Sequence, residues 1–436
     1  MSAVNYTKFS TRITNGAMAV AGGISSQRHI AAVRDGLKVL MPLLVAVSVF
    51  DLLDKFPAGT FADGSARYLG DLFVASGWLM WLPYINKILF YGVYGVVAAL
   101  AVLPVAHSLA KSYDDVDSAL ASATALAVYL CMLPSDIREA LLRAEYTAPE
   151  GVFSAVLVAL VAGEIFSRLS KTGKAIRTPS FIPPAAVSSF VSLAPVFATL
   201  FVMIGASELF KAVANRNALE LVNILFANVL VGIGGSFAFG LIIVLLTNLC
   251  WAFGVHGMHV FEFLLLPFVP AIMLYNHNAI LTGNGQSYIF NKLFLDTFVH
   301  LGGSGVCFSL ALALVVAGRS KRLRKLGAES LSPTALNISE TLIFGLPIVF
   351  NPVFAIPFVL APLVCFLVSY IATASGFMPP VAYLVPWTTP PVLSGFLATG
   401  WAWQGAAVQL ACIGLATLVY IPFVFLSSAL ERKKSK

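Results

Sequence analysis

Apolar residues run along this chain in long blocks, separated by short polar or basic stretches. The blocks cover residues 37–53, 88–109, 119–133, 152–166, 185–209, 229–253, 298–317, 352–374 and 405–426. Two weaker ones, 73–82 and 258–274, are shorter or interrupted. Many of the blocks approach the roughly 20 residues that a helix needs to cross a bilayer. The pattern therefore predicts an all-α, polytopic membrane protein with about ten transmembrane helices.

Three stretches depart from plain spanning helices. After Glu340, prolines stand at Pro347, Pro352, Pro357 and Pro362, with Gly345 just ahead. Each proline removes a backbone donor and kinks or stops a helix. Residues 377–400 have the same character, with Pro379, Pro380, Pro386, Pro390 and Pro391 around Trp387. The third stretch is Trp251-Ala252-Phe253-Gly254-Val255-His256-Gly257-Met258-His259, where glycines flank a histidine at the end of an apolar run. Residues 275–288, rich in Asn, Gly and His, read as a polar loop beyond it. Non-helical backbone at membrane depth survives only where protein or a water-filled cavity surrounds it. A broken helix or re-entrant hairpin carrying Glu340 is the natural reading, and such segments build substrate sites in transporters.

Composition supports the membrane class. The chain is 59% hydrophobic and 11% charged, with a mean hydropathy of +0.88, whereas soluble domains carry roughly 25% charged residues. The net charge of +7 does not call for nucleic acid, because the basic residues cluster between apolar blocks as the positive-inside bias predicts. The clusters are Arg168/Lys171/Lys174/Arg177, Arg319/Lys321/Arg322/Arg324/Lys325 and Arg432/Lys433/Lys434/Lys436. Lys8, Arg12, Arg28, Arg34 and Lys38 add a basic front. Both termini are thus expected in the cytoplasm, with an even number of crossings. The first 30 residues lack the apolar core and small-residue cleavage site of a signal peptide.

Between Ser330 and Leu430 the only formally charged side chain is Glu340. A lone carboxylate among aliphatic and aromatic neighbours is costly to ionise, so its retention needs a reason. In a membrane the default reason is function, and the bland one is a helix-end Glu that reaches the headgroups. His256 is a second candidate, a polar group where Gly257 lets a ligand approach the backbone, or simply an interfacial imidazole. Trp251, Trp387, Trp401 and Trp403 are either interface anchors or stacking platforms for the apolar face of a sugar ring. His256, His259 and Glu262 do not follow the His-Glu-x-x-His arrangement, and Gly257 weakens the helix there, so no metal is expected. The five cysteines are scattered singly without a CxxC pair and read as small buried apolar residues. No phosphate-binding loop or Ser-His-Asp constellation is present, and no cofactor is expected. A carboxylate, an imidazole, indoles and neutral amides on irregular membrane segments suit a polyhydroxylated, uncharged solute. A short polar seam at Lys211, Arg216 and Glu220 divides the chain into an N-terminal membrane half, 1–215, and a site-bearing half, 216–436.

Several motifs, in order along the chain, resemble the membrane IIC component of the sugar phosphotransferase system, in its lactose/cellobiose/diacetylchitobiose family. They include His29-Ile30-Ala31-Ala32-Val33-Arg34-Asp35-Gly36, Ile182-Pro183-Pro184-Ala185-Ala186, Trp251-Ala252-Phe253-Gly254-Val255-His256-Gly257 and Leu301-Gly302-Gly303-Ser304-Gly305. The most diagnostic are Phe344-Gly345-Leu346-Pro347-Ile348-Val349-Phe350-Asn351-Pro352 and Pro386-Trp387-Thr388-Thr389-Pro390-Pro391. The resemblance implies a homodimer in the bacterial cell membrane, with the N-terminal half forming the dimer contact and the C-terminal half moving the sugar. It implies two re-entrant hairpins, bearing Glu340 and His256, that meet at a β-linked disaccharide of the cellobiose, diacetylchitobiose or lactose type. It further implies that Glu340 takes the proton of the sugar's 6-hydroxyl while a phosphorylated cytoplasmic IIB protein, expected on a separate chain, donates the phosphoryl group. His256, Glu340, Trp251, Trp387, Gly257, Asn337 and Ser339 are the expected sugar-binding residues. The family usually reads Asn-Ile-Asn-Glu-Pro at the carboxylate, where this chain reads Asn337-Ile338-Ser339-Glu340-Thr341. That departure leaves an uncoupled or proton-coupled sugar transporter open as a second reading.

Overall fold

The structure is a computed structural model. It describes residues 22–23, 26–60, 66–77, 81–134, 144–173, 184–234, 236–283, 287–346, 348–349 and 351–434. Lys8, Arg12, Lys174, Arg177, Ile182, Pro183, Asn284, Gln286, Pro347, Phe350 and Lys436 lie outside the described residues.

Among the described residues the regular structure is helical apart from one two-stranded antiparallel ribbon, Pro57–Thr60 with Ala66–Tyr68. Among the described residues seven helical segments are long and apolar enough to cross a membrane, and a bent pair counted as one span makes an eighth. Two shorter apolar helices, Ser118–Met132 and Phe237–Ala252, accompany them. The all-α, multi-pass class expected from the blocks is the class observed.

The helices pack in two groups. In the first, Val97–Lys111 lies against Arg28–Asp54, Ser118–Met132 and Val152–Gly173. In the second, Pro352–Ala374 packs on Trp403–Lys434 and Phe237–Ala252, while Cys307–Ala317 packs on Lys321–Ala335. Lipid tails are as apolar as leucine, so helices associate here through close packing of small residues more than through exclusion of water. Ala98, Ala101 and Ala106 are fully buried at the first of these contacts. There a Cβ built on Gly36 would stand 2.6 Å from the Val105 Cα, so the crossing requires glycine.

Where the helices break, the sequence supplies a cause. The block at 88–109 is cut at Gly95-Val96 into Pro83–Tyr94 and Val97–Lys111, which meet at 51°. Ser236 caps Phe237–Ala252 by accepting a hydrogen bond from the Phe239 N–H at 3.2 Å, which starts a new helix inside the 229–253 block. Gly302, Gly303 and Gly305 have positive φ and hold the chain open ahead of Cys307–Ala317. The helix Glu340–Gly345 has six residues, about 9 Å of rise and far short of a crossing.

One expectation is corrected. Residues 275–288 are not a loop throughout, because Val269–Thr282 is helical. Asn276 and His277 face inward to partners. Asn276 donates to the carbonyls of Tyr288 and Val381, and His277 meets Asp51. With Gly257–Leu265 and a single 3-10 turn it forms one candidate span, Gly257–Thr282.

The Gly36 crossing gives a direct test. Gly36→Val should destabilise the fold by about 1–3 kcal/mol, the usual range for overpacking. Thermal unfolding in detergent reads it, and a melting temperature equal to the parent's would show that the two helices are not held this closely.

Candidate functional site

A cavity of about 250 Å3 opens beside the middle of the first long helix, Arg28–Asp54. That is near the low end of the roughly 300–1,000 Å3 typical of small-molecule sites. Met41 and Val45 of that helix form one wall. Glu262, Lys292 and Asp296 bring charge to it, and the stretch from Tyr383 to Trp387, with Thr389, closes it from the proline-rich segment. Asn337 also lines it, with Leu293, Thr297 and Ser394.

Asn337 organises this place. Its backbone is left-handed, φ 62°, a conformation that asparagine tolerates better than other residues with a Cβ. That bend ends the run of Lys321–Ala335 and sets the carboxamide between two other irregular segments. The Gly302 N–H donates to Asn337 Oδ1 at 2.8 Å. Asn337 Nδ2 donates to the carbonyl of Trp387 at 2.5 Å and to that of Thr389 at 3.3 Å. Trp387, held through its carbonyl, keeps its side chain 65% exposed, so the indole face is free for stacking.

The charges at the cavity are paired. Lys38 Nζ lies 2.5 Å from Glu262 Oε2, and Lys292 Nζ lies 3.7 Å from Glu262 Oε1 and 2.5 Å from Asp296 Oδ2. This Lys38–Glu262–Lys292–Asp296 chain is formally neutral, as buried ionic groups must be to persist. It offers both donors and acceptors to hydroxyl groups.

The other expected residues form a separate cluster. His256 caps Gly257–Leu265, its Nδ1 accepting from the His259 N–H at 3.3 Å. That bond assigns the proton to Nε2, leaving a donor for a ligand. The Trp251 ring stands 4.6 Å from the His256 ring and the His259 ring 4.5 Å. The Trp251 Nε1 is buried without a protein partner among the described residues. Glu340 lies within electrostatic reach of His256, so the structure brings the expected acid and imidazole into one neighbourhood. Glu340 does not sit in a dry pocket, however. Its side chain is exposed in the first turn of a short helix, three residues beyond the cavity wall at Asn337.

Two expected residues serve packing. A Cβ on Gly257 would fall 1.9 Å from the Thr247 carbonyl oxygen, so this glycine permits the approach of Phe237–Ala252 to Gly257–Leu265. Ser339 is buried, and a Cβ on Gly303 would stand 2.7 Å from its Oγ. Its small side chain fits the glycine loop. Glu262 is engaged by Lys38 and Lys292.

Sequence reasoning missed Lys292 and Asp296 as cavity residues. The signal was present as an i, i+4 pair of opposite charge within Phe290-Asn291-Lys292-Leu293-Phe294-Leu295-Asp296, just ahead of an apolar block.

Irregular membrane segments converge here on a cavity with an exposed indole, paired charges and an amide bracket, the kind of arrangement that membrane permeases use. The description "Phosphotransferase system, EIIC" matches residues 34–362, and the chain belongs to that family as a sugar permease component. It is 33% identical over 419 residues to the lichenan permease IIC component of Bacillus subtilis (strain 168), covering 93% of this chain and 90% of that protein. It is 32% identical over 434 residues to the cellobiose-specific EIIC component of Geobacillus stearothermophilus, covering 95% and 93%. Among solved structures it is similar to ChbC, the IIC component from the N,N'-diacetylchitobiose-specific phosphotransferase system. The TM-score is 0.84 at 28% identity, over 96% of this chain and 98% of that one.

Asn337→Asp tests the bracket. A carboxylate accepts from Gly302 but cannot donate to Trp387 or Thr389, so the variant should lose about 1–3 kcal/mol of stability. Equal unfolding temperatures for variant and parent would remove Asn337 from its organising role.

Proposed function

We propose that this permease imports a β-linked disaccharide of the cellobiose type and presents its 6-hydroxyl for phosphorylation by a cytoplasmic IIB protein on a separate chain. The observation that carries the reading is the exposed Trp387 face over a cavity whose walls supply Asn337, Lys292, Asp296 and Glu262. One sugar ring stacks on the indole, and its hydroxyls bond to the paired charges. The other ring extends toward His256 and Glu340.

In the transfer step, O6 of the sugar attacks the phosphorus of the IIB cysteine-phosphate. The O6–P bond forms, the S–P bond breaks, and the sulfur leaves as a thiolate. Glu340 accepts the O6 proton, and His256 Nε2 orients the hydroxyl. An exposed carboxylate that IIB can approach suits this role better than a sealed one, because the phosphoryl donor must enter from the cytoplasm.

In this reading both termini lie in the cytoplasm and the protein is a homodimer in the cytoplasmic membrane. Residues 1–215 provide the dimer contact and residues 216–436 carry the sugar. The similarity to cellobiose, lichenan and diacetylchitobiose permeases supports the β-linked class.

Vesicles supplied with IIA, IIB and phosphoenolpyruvate provide the experiment. The sugar should accumulate phosphorylated, and accumulation of free sugar alone would defeat the coupling. Glu340→Gln should leave binding intact while phosphorylation drops about 100-fold or more, the lower bound for losing a general base. An unchanged rate would dismiss the base assignment. His256→Ala and Trp387→Ala should each weaken sugar binding by about 1–3 kcal/mol, read by titration calorimetry. Parental affinity in either would return that side chain to an interfacial role.

A further inference from the structure

We infer that the buried Asp51–His277 pair is a latch that closes the cavity on the side away from His256 and Glu340, and that it must part before a solute enters from that side. The inference rests on reading the cavity as the solute site.

The first long helix meets different partners along its length. Lys38 reaches Glu262, Met41 and Val45 line the cavity, and Ser48, Asp51 and Asp54 follow, all buried. Asp51 stands about 15 Å beyond Met41 at 1.5 Å per residue. The latch thus lies near the end of the helix opposite Arg28, while His259, next to His256, lies within electrostatic reach of Arg34 and Lys38 at the other end.

At the latch, His277 Nδ1 is 3.1 Å from Asp51 Oδ2. The Leu384 N–H donates to Ser48 Oγ at 3.3 Å, and Trp401 Nε1 donates to the Leu52 carbonyl at 2.8 Å. The His277 ring lies 5.5 Å from the rings of Phe90 and Tyr383. Tyr383 is a wall shared by the cavity and by the crevice around the pair. That crevice measures about 10 Å3, space for a single water at most. No sugar passes it as it stands.

Each side of this seam is bonded within itself. Asp51 Oδ1 accepts from Asn86 Nδ2 at 3.1 Å, Asn86 also reaches Asp54 at 3.2 Å, and Lys55 lies 3.3 Å from Asp54. Across the seam, Asn276 beside His277 donates to the Val381 carbonyl at 2.7 Å and accepts from the Tyr288 N–H at 2.7 Å. When the pair separates, Asp51 therefore keeps Asn86, and His277 stays with the segment that carries Tyr383 and Trp387.

The chemistry favours reversible opening. A buried polar pair adds little net stability over an apolar substitute of the same volume, and Phe90, Tyr94, Met273 and Tyr383 already supply apolar packing around it. What the pair adds is separability, because both partners gain water as the seam opens, whereas an apolar seam only loses contacts.

Two measurements test this. In Asp51→Cys/His277→Cys, a short bifunctional thiol reagent should cut uptake of sugar offered on the Asp51 side at least tenfold. Phosphorylation of sugar offered on the opposite face of inverted vesicles should stay within twofold, and a reductant should restore uptake. Uptake that survives bridging, or loss of both activities together, overturns the latch. Separately, His277→Ala in a Thr389→Cys background should raise labelling of that cysteine by a membrane-impermeant thiol reagent, applied on the Asp51 side, at least fivefold over the same background with His277. Unchanged labelling overturns the proposal. This second readout needs no sugar and no IIB, so it stands apart from any failure of the phosphorylation reading.

Discussion

Three segments of non-helical backbone converge in this membrane protein, and the carboxamide of Asn337 binds them to one another. In an apolar medium a peptide group without a partner is severely unfavourable, so irregular backbone persists only where something nearby supplies its hydrogen bonds. Asn337 has an acceptor for the glycine loop and donors for the proline-rich segment, and its left-handed backbone turns the chain to deliver both. The position of the Trp387 indole, the register of the glycine loop and the start of the short Glu340 helix all follow from that one side chain.

The broad architecture was legible because apolar blocks of bilayer length leave few alternatives, and the glycine- and proline-rich stretches announced where helices fail. The details that escaped turn on where polar side chains point. Asn276 and His277 looked like loop residues because they are polar, yet both point inward to partners from a continuous helix. Lys292 and Asp296 drew no attention in the sequence, yet they neutralise one another at the cavity. Glu340 went the other way. Its apolar neighbours suggested a dry pocket, but the short helix it opens turns its side chain outward while Leu342 and Ile343 face the core.

The site is divided by chemistry. Around the cavity, cations and anions alternate, so a neutral solute meets donors and acceptors without a net field. At the second cluster an imidazole with one committed nitrogen stands near an unpaired carboxylate. The two clusters are neighbouring but separate, and Ser339, beside the carboxylate, packs against Gly303.

The missing side chain at Gly36 has a mechanical implication. With the Val105 backbone pressed into that gap, the first long helix can neither roll about its axis nor slide along its neighbour without a collision. It behaves as a fixed rail. Any displacement that exchanges access between the two faces of the membrane falls to the elements lying along it, and the rail itself supplies the reference against which they move.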